Sequence, residues 1–376
     1  MRYTGYNAEL VKQQNRKNIL SLIYEKGPVS RIDISRQIGL TQAAVTLISA
    51  QLIKENILRE TGTAEAPGAG RKKILLDINP DFRHVLSVNI EPEKTWTALC
   101  DMKGNALKCA VCATEADSPE EYLKKTAVQC RRLEEETGIR ADGISVGITG
   151  IVNRQTGESL KAYGVFDRPA DVRKILEAET GLPVSVENNI NAFAEAEAMF
   201  GYGRTFDNLM IIKWGPGVGS ALIIDGKLYE GRHQRAGELG HSIVEKNGRL
   251  CTCGRRGCLE TKVSRRALNE IVPFESEAFA DVFEESEGRT RQRLQEAVDL
   301  FARAIVNAAT VMAPNRIVLC GSLFSDERIR RRVIEACRAY DHGFSDERIL
   351  YTELHEKQGF IGPAAVYISN ILYGKI

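Results

Sequence analysis

Four side chains that could bind a metal ion lie close together in the second half of the sequence. His241 is followed by Cys251, Cys253 and Cys258 in the segments A-G-E-L-G-H and C-T-C-G-R-R-G-C-L-E. One imidazole and three thiolates form a complete tetrahedral ligand set for Zn²⁺. The glycines between the cysteines let the loop turn tightly. Because four protein ligands leave no open position, we expect a structural zinc ion. The alternative is a surface loop with free thiols.

The remaining cysteines are predicted to be structural. Cys109 and Cys112 form a C-x-x-C pair, but the pair lies in an apolar, strand-like run, so we expect it to pack in a core.

The first residues lack the basic start and apolar run of a secretory signal, and no stretch approaches the ~18 apolar residues of a membrane span. We therefore expect a cytoplasmic protein without membrane contact. In a reducing compartment, clustered thiols favour metal over disulfides.

Length, composition and charge favour two globular domains. The chain has 376 residues, 43% hydrophobic and 27% charged, which is typical of a soluble protein rather than a disordered or membrane protein. Residues 1–80 contain twelve Lys and Arg against seven Asp and Glu, whereas the rest contains 39 against 43. A basic module of residues 1–80, joined to an acidic domain of residues 81–376, indicates that the N-terminal part contacts a polyanion.

The basic module carries three short helical patterns. The first runs from Asn15 to Lys26, and Ser30 caps a second from Arg31 to Ile38. After a glycine turn, Thr41 caps a third helix. Its apolar residues at helical spacing are predicted to face inward: Val45, Ile48 and Leu52. Its short, mostly hydrogen-bonding residues are predicted to remain outside: Gln42, Ala43, Thr46 and Ser49.

A hairpin pattern follows the third helix. Residues 57–60 are strand-like, residues 61–70 are rich in Gly, Ala and Pro, and residues 73–78 return as a strand. This order is typical of a winged helix-turn-helix, which lays its third helix in a DNA major groove. An ordinary protein-interaction module is the alternative. The uncharged outer face of the third helix, which suits base edges, favours DNA.

We predict three groups of DNA contacts in this module. Gln42, Ala43 and Thr46 are expected to contact base edges. The cations Arg71, Lys72 and Lys73 follow a flexible glycine and are expected to enter a minor groove or bind backbone phosphates. The helix starts complete the predicted set with Ser30, Arg31 and Thr41.

From Arg83 onward, strand patterns alternate with helix patterns. Three successive strands and a long helix opening at Ser118 come first, and further strands lead to a helix over residues 191–200. After Asp207 the pattern restarts with a strand, a Gly-rich turn over residues 215–219 and another strand. This repeated order predicts two α/β lobes with a cleft between them.

The larger region resembles the ROK family, which groups bacterial sugar kinases with sugar-responsive repressors. The resemblance rests on the cysteine loop, G-I-T-G at 147–150, P-V-S-V-E-N-N-I-N-A at 183–192, the turn at 215–219 and D-G-K-L-Y-E-G at 225–231. It covers nearly all of residues 83–376. It implies a two-lobed fold of the sugar-kinase and actin-like (ribonuclease H-like) kind. The family's repressors add an N-terminal winged helix, which residues 15–78 resemble.

The resemblance also implies a monosaccharide site. Glu238, His241 and Glu260 match family positions that hydrogen-bond sugar hydroxyls, and His241 also binds zinc in the family. Asn188 and Asn189 match positions that contact hydroxyls on the other side of the ring. A metal-bound imidazole is fixed in one tautomer, so such a pocket is preorganised. The alternative for Glu238 is a solvated acidic loop.

Two departures from the kinase pattern indicate that phosphoryl transfer has been lost. Family kinases carry a D-x-G-G-T phosphate loop after their first strand, whereas this chain has Asn-Ile-Glu-Pro-Glu-Lys at 89–94, with no glycine and two carboxylates. Asn189 stands where the kinases carry an aspartate that acts as general base on the attacking hydroxyl. An amide cannot accept a proton near neutral pH, so we expect no catalytic residues.

The sequence therefore favours a sugar-responsive repressor that binds operator duplex DNA as a homodimer, or as a tetramer built from two dimers. We expect a monosaccharide such as glucose, xylose or N-acetylglucosamine to release the DNA, although the opposite sign stays open. One alternative is a zinc-containing sugar kinase with an accessory N-terminal domain. Another keeps the DNA-binding module but makes the large domain a docking site for a partner protein.

Overall fold

Three helices and a three-stranded sheet form the N-terminal module. The computed structural model describes residues 8–64, 72–115, 118–275 and 278–373. The module contains α1 (Ala8–Lys26), β1 (Val29–Ser30), α2 (Arg31–Ile38), α3 (Gln42–Lys54), β2 (Leu58–Ala64) and β3 (Lys73–Ile78). The sheet order is β1-β3-β2 with antiparallel pairs. These elements have the predicted winged-helix order, but α1 begins seven residues earlier than predicted.

Side-chain caps and one left-handed glycine set the boundaries of α2 and α3. The Ser30 hydroxyl accepts the Asp33 backbone N–H at 3.2 Å, and the Thr41 hydroxyl accepts the Ala44 N–H at 3.2 Å. Gly39 ends α2 with φ of 68°, a conformation that favours glycine. The inward face of α3 is confirmed, since Val45, Ile48 and Leu52 are all buried.

Ser49 does not lie on the exposed face of α3 as predicted. Its side chain is fully buried, and its hydroxyl has no hydrogen-bond partner among the residues that the structure describes. Ser49 follows Ile48 and precedes Leu52 by three positions, so it falls at the edge of the apolar stripe. A small side chain fits at that edge against the rest of the module, and helical spacing alone did not separate it from the outer face.

The first lobe is built on a mixed five-stranded sheet. Its elements are β4 (Val85–Ile90), β5 (Lys94–Cys100), β6 (Ala106–Ala113), α4 (Pro119–Thr137), β7 (Gly143–Ile148), β8 (Ile151–Asn153), β9 (Glu158–Lys161), α5 (Val172–Thr180), β10 (Val184–Asn188) and α6 (Asn189–Phe200). The sheet order is β10-β7-β4-β5-β6, and β8 pairs separately with β9. An apolar core lies between this sheet and α4 with α5.

The second lobe repeats the same strand order. Its elements are β11 (Leu209–Trp214), β12 (Val218–Ile224), β13 (Lys227–Leu228), α7 (Glu260–Val263), α8 (Arg265–Leu268), α9 (Phe279–Glu285), α10 (Gly288–Met312), β14 (Arg316–Cys320), α11 (Glu327–Tyr340) and β15 (Ile349–Tyr351). The last helix, α12 (Ile361–Tyr373), returns to the first lobe and packs on α6, β4 and β7. The order β13-β12-β11-β14-β15 matches that of the first lobe. In both, three antiparallel strands are followed by two parallel ones. The predicted α/β fold of two lobes is confirmed.

The C-x-x-C pair lies on an exposed edge, not in the core as predicted. β6 is the outermost strand of its sheet, and both Cys109 and Cys112 are exposed. Side chains that alternate along an edge strand have a neighbouring strand on one side only. The apolar composition of this run therefore did not translate into burial, and Val111 is also 46% exposed.

The N-terminal module packs directly on α6, on α12 and on the turn between β5 and β6. Apolar residues of α1 and α3 share one continuous buried cluster with α6 and α12. The Tyr24 ring meets the Phe200 ring edge-on at 6.1 Å, and the Tyr24 hydroxyl donates to the Met102 carbonyl. Ser21 and Tyr373 share a hydrogen bond of 3.0 Å. The module is thus attached to the C-terminal ends of α6 and α12.

The chain passes from the module to the first lobe through a short turn, Pro80–Phe82, which is the position predicted for the domain boundary. Within the described ranges, the search for membrane-spanning helices finds none with the length and apolar character required.

Candidate functional site

The four predicted metal ligands converge in the structure. The ligand atoms of His241, Cys251, Cys253 and Cys258 all lie within 4.8 Å of one another. The Cys253 and Cys258 sulfurs are 3.6 Å apart, and the Cys251 sulfur lies 3.5 Å from Nδ1 of His241. Such spacings match the edges of a tetrahedron with ligand bonds of about 2.3 Å. These residues could therefore hold one metal ion.

A tight loop brings the three sulfurs together. The Cys251 N–H donates to the Arg255 carbonyl at 2.7 Å, which closes the first turn. Gly257 has φ of 74°, and a Cβ there would lie 1.8 Å from the Glu245 carbonyl oxygen. Glycine is thus required at this crossing of the two loop strands. The sequence folds locally into a metal-binding loop because its glycines stand where backbone meets backbone.

The electrostatics of the loop also suit a cation. Burial and the neighbouring thiols raise the pKa of Cys258 to about 12. Three sulfurs this close together cannot all carry negative charge without compensation. A bound metal cation would stabilise the thiolates, since thiolates are the form that binds metal.

The five predicted sugar-binding residues line one cleft between the lobes. Asn188 and Asn189 lie on the side of the first lobe, and Glu238, His241 and Glu260 lie on the side of the second. The cleft has a cavity volume of about 120 Å³ and is partly open to solvent. The structure thus brings together, in one cleft, residues that are up to 72 positions apart in the sequence.

Two carboxyl groups and the His241 imidazole form the wall from the second lobe. Nε2 of His241 lies 3.7 Å from the Glu238 carboxylate, while Nδ1 faces the sulfurs. Oε2 of Glu260 accepts the Val218 backbone N–H at 3.0 Å, which fixes its orientation. Burial raises the pKa of Glu238 and of Glu260. This wall therefore offers acceptors for hydroxyl groups beside a fixed imidazole.

The two asparagines stand at the junction of β10 and α6. The Asn188 amide oxygen caps α6 by accepting the Ile190 and Asn191 N–H groups, and its nitrogen donates to the Gly150 carbonyl at 2.7 Å. The second N–H of the Asn188 side-chain amide is left for a ligand. The Asn189 side chain hydrogen-bonds to Glu91. Asn188 thus holds the wall in place as well as lining it.

Glu91 and Lys213 form an ion pair across the cleft, which the sequence did not predict. Glu91 follows β4 and Lys213 lies on β11, so the pair joins the two lobes. Their side chains are only 19% and 20% exposed. Burial would raise the pKa of Glu91, but the Lys213 charge and hydrogen bonds from Lys213, Asn89 and Asn189 outweigh it and lower that pKa. The Glu91 carboxylate is therefore ionised at the border of the cleft.

Two other residues were missed: Tyr163, which lines the cleft, and Arg154, which lies beside it. Tyr163 meets the His241 ring edge-on at 5.6 Å, and its pKa is raised to about 12, mainly by burial and then by Glu238. Arg154 pairs with Glu187 at the end of β10 and with Glu230 of the second lobe. Both lie near the β8–β9 hairpin, which no sequence pattern distinguished. A tyrosine and an arginine in a loop carry no spacing that points to a site.

The predicted base-reading residues of α3 are accessible. Gln42, Ala43 and Thr46 are all exposed, as is Thr41, whose hydroxyl caps the helix. Leu47 was missed, although it follows Thr46 on the same face and is 71% exposed. Its position four residues after Ala43 was the available clue. An exposed apolar side chain there suits the methyl group of thymine.

The flanking residues differ from what was predicted. Ser30 is only 2% exposed, and its hydroxyl donates to Asp33 at 2.6 Å, so its function in the structure is to cap α2. Arg31 pairs with Glu60 at 2.9 Å and Lys73 pairs with Asp33 at 3.1 Å, while Lys72 is exposed. Arg71 lies outside the described residues. Ser30 is therefore removed from the set of predicted contacts.

Comparisons with known proteins agree with this architecture. Residues 85–370 match the model of the ROK family. A xylose repressor of Caldicellulosiruptor bescii is 27% identical and aligns over 97% of this chain and 98% of its own length.

Solved structures give the same result for the fold. A ROK family transcriptional regulator, a homolog of the E. coli MLC protein, has a TM-score of 0.78 at 24% identity and covers 96% of this chain and 97% of its own. A ROK hexokinase from Thermus thermophilus has a TM-score of 0.62 at 25% identity and covers 75% of this chain and 97% of the hexokinase. Since the family model spans most of the sequence, the chain belongs to the ROK family.

Proposed function

We propose that this protein is a sugar-responsive transcriptional repressor, which binds operator duplex DNA through α3 and a monosaccharide in the cleft. The observation that carries the proposal is the pairing, in one chain, of an exposed uncharged face on a capped helix with a cleft lined by Asn188, Asn189, Glu238, His241 and Glu260. A relative that aligns over nearly the whole chain is named a xylose repressor.

The metal that best suits the cluster is Zn²⁺. Three sulfurs and one imidazole nitrogen at tetrahedral spacing are a preferred set for zinc. With four protein ligands the ion would be structural, and it would hold the loop that carries Glu238 and Glu260. Nδ1 of His241 faces the sulfurs, which leaves the Nε2 proton directed towards Glu238 and the cleft.

The same cleft gives no support to phosphoryl transfer. Pro92 lacks a backbone N–H, and the ionised Glu91 occupies the turn in which kinases bind phosphate. Asn189 donates to Glu91 and cannot act as a base. We therefore propose that the protein binds its sugar without phosphorylating it, although the fold resembles that of a ROK hexokinase.

Helix α6 offers a direct route from the sugar to the DNA-binding module. Asn188 caps its first turn beside the cleft, and Phe200 at its last position contacts Tyr24 of α1. At 1.5 Å per residue, this helix spans about 18 Å. Glu197 is fully buried near its end and bonds to Thr352 and to the Tyr202 N–H. A small rotation of α6 when the cleft closes would move the surface on which the N-terminal module packs.

An operator is best bound by two copies of α3 in successive major grooves, which requires a homodimer or a tetramer of two dimers. Sugar binding would change the separation of the two α3 helices and thereby the affinity for DNA, provided that the sugar prefers one arrangement. We expect the sugar to release the DNA.

Fluorescence anisotropy with a duplex selected from a random-sequence library tests the proposal. Full-length protein should bind the duplex, and one of xylose, glucose or N-acetylglucosamine should raise the operator Kd by ~5–150-fold. Thr46→Ala should weaken DNA binding but keep sugar binding, as judged by calorimetry. Glu238→Ala should weaken sugar binding but keep DNA binding. Binding of neither ligand, or ATP turnover at an enzymatic rate that Glu238→Ala abolishes, would refute the proposal.

A further inference from the structure

The ion pair between Glu91 and Lys213 lies in the wall of the cleft beside Asn189. Glu91 contacts Asn189, and both line the cleft together with Glu238 and His241. A monosaccharide held between Asn189 on one wall and Glu238 with His241 on the other would therefore lie next to Glu91. A phosphate on the Asn189 side of such a sugar would meet the Glu91 carboxylate.

More acidic than basic side chains line the cleft. Its described Lys and Arg lining residues are Lys213, Arg235 and Arg266, and its carboxyl residues are Glu91, Glu187, Glu238 and Glu260. Lys213 is paired with Glu91. A phosphate would therefore enter a cleft whose described lining holds an excess of acidic groups.

We propose that Glu91, paired with Lys213, makes the cleft a charge filter that accepts an uncharged monosaccharide and rejects a phosphorylated one. This inference rests on the proposed sugar-binding function of the same cleft and names its ligand class. The Glu91 carboxylate and the Asn189 amide accept and donate hydrogen bonds beside the ligand's hydroxyl, which a neutral sugar satisfies. A phosphate at the same place meets a fixed anion whose partner cation is already neutralised.

Calorimetry on the full-length protein tests the filter with two ligand pairs: glucose against glucose 6-phosphate, and N-acetylglucosamine against its 6-phosphate. The wild type should bind each phosphate at least ~100-fold more weakly than the neutral sugar, because like charges in contact are strongly repulsive. Glu91→Gln keeps the shape and one acceptor oxygen but removes the negative charge and frees Lys213. We expect the ratio of the phosphate Kd to the neutral-sugar Kd to fall by at least ~10-fold relative to the wild type.

Two further variants separate the filter from a general change in charge or fold. Glu135→Gln makes the same change in net charge on an exposed side chain of α4 that does not line the cleft, and should leave the ratio of Kd values unchanged. Adding Lys213→Met to Glu91→Gln should abolish the gain in phosphate binding. Thermal melting confirms that each variant is folded.

A wild type that prefers either 6-phosphate, or a Glu91→Gln variant with an unchanged ratio, overturns the charge filter while leaving the sugar cleft intact. Failure of the wild type to bind any neutral or phosphorylated sugar overturns the proposed function itself, and the inference with it.

Discussion

The two lobes carry equivalent turns with opposite chemistry. In each lobe, the first antiparallel pair of the sheet is joined by a turn with a central proline: Glu91-Pro92-Glu93 between β4 and β5, and Gly215-Pro216-Gly217 between β11 and β12. Both turns border the cleft. One has glutamates where the other has glycines.

The glycine turn works through its backbone. A Cβ at Gly217 would lie 2.8 Å from the Glu260 carboxylate, so the absence of a side chain lets that carboxylate reach the Val218 N–H. The Gly215 carbonyl accepts the Arg265 N–H at 2.8 Å. The turn thereby positions Glu260, which is predicted to bind the sugar.

The glutamate turn works through its side chains. Glu91 pairs with Lys213 and Glu93 pairs with Arg265, and both cations belong to the second lobe. The first lobe therefore contributes charge that spans the cleft, while the second contributes backbone and the loop of the four candidate metal ligands. Equivalent places in a repeated fold have taken different tasks because their side chains differ, not their geometry.

The largest effect is expected from removing one of the four candidate metal ligands. Cys258→Ser removes one thiolate ligand and should release the loop that carries Glu238 and Glu260. Loss of two charge-assisted hydrogen bonds should weaken sugar binding by at least ~100-fold. Metal content by mass spectrometry and sugar Kd by calorimetry measure this. Cys109→Ser, on the exposed edge strand β6, is the control and should change neither. Undiminished sugar affinity in metal-free protein would show that the wall is held by other means.

A second effect distinguishes the carboxyl groups of the two walls by pH. The raised pKa values of Glu238 and Glu260 mean that both protonate above the usual value of about 4.3, whereas the lowered pKa of Glu91 keeps it ionised there. A protonated carboxyl keeps an acceptor oxygen but loses the charge that strengthens its hydrogen bonds with sugar hydroxyls, so affinity should fall ~10-fold as the pH is lowered from 7 towards that usual value. Calorimetry across that range measures it.

The sign of this dependence follows from which state binds more protons. The free cleft takes up protons on Glu238 and Glu260 as the pH falls, and bound sugar opposes that uptake. Sugar affinity therefore decreases with falling pH. Glu238→Gln should flatten the profile, and a steeper fall in that variant would contradict the assignment.

A smaller effect is expected from giving the glycine turn a side chain. Gly217→Ala should displace the Glu260 carboxylate from the Val218 N–H, and loss of one aligned hydrogen bond should weaken sugar binding by about 5-fold. Gly215→Ala is the matched control, since its Cβ would meet the Ser322 hydroxyl at 3.1 Å and not Glu260. Equal effects of the two variants would show that the turn, not the carboxylate, determines affinity.

The smallest effect is expected from replacing the glutamates of the turn between β4 and β5 with glycines, so that it resembles the turn between β11 and β12. Glu91→Gly with Glu93→Gly restores backbone freedom but leaves Asn189 in place of a base, whose loss typically costs ~10²–10⁴ in rate. A coupled assay with ATP and glucose should detect no turnover. Adding Asn189→Asp serves as the companion variant. Turnover by the double glycine variant alone would show that Asn189 is not what prevents catalysis.

Much of the site was predictable because its residues are close in sequence or belong to recognisable motifs. The four metal ligands span eighteen positions, and the predicted inner face of α3 proved to be buried. The sugar residues came from the family resemblance, and the structure places all five in one cleft. Their sugar and DNA contacts stay predictions.

Other features could not be predicted because they depend on neighbours that the sequence does not reveal. Cys109 and Cys112 are exposed because β6 is an edge strand, which is a property of sheet order. Ser30 and Ser49 are buried because of what packs on α2 and α3. Leu47 and Tyr163 lie at functional surfaces without any distinctive spacing.

The sequence by itself determined the features that short-range chemistry controls: the caps of α2 and α3, the turns of the cysteine loop, and the absence of glycine from the first turn of the cleft. Tertiary structure alone decided that Glu91 pairs with Lys213, 122 positions away. It also decided that α6 connects Asn188 to the surface on which the N-terminal module packs. The reason is physical. Local hydrogen bonds need only nearby residues, whereas an ion pair across a cleft exists only after both lobes have packed.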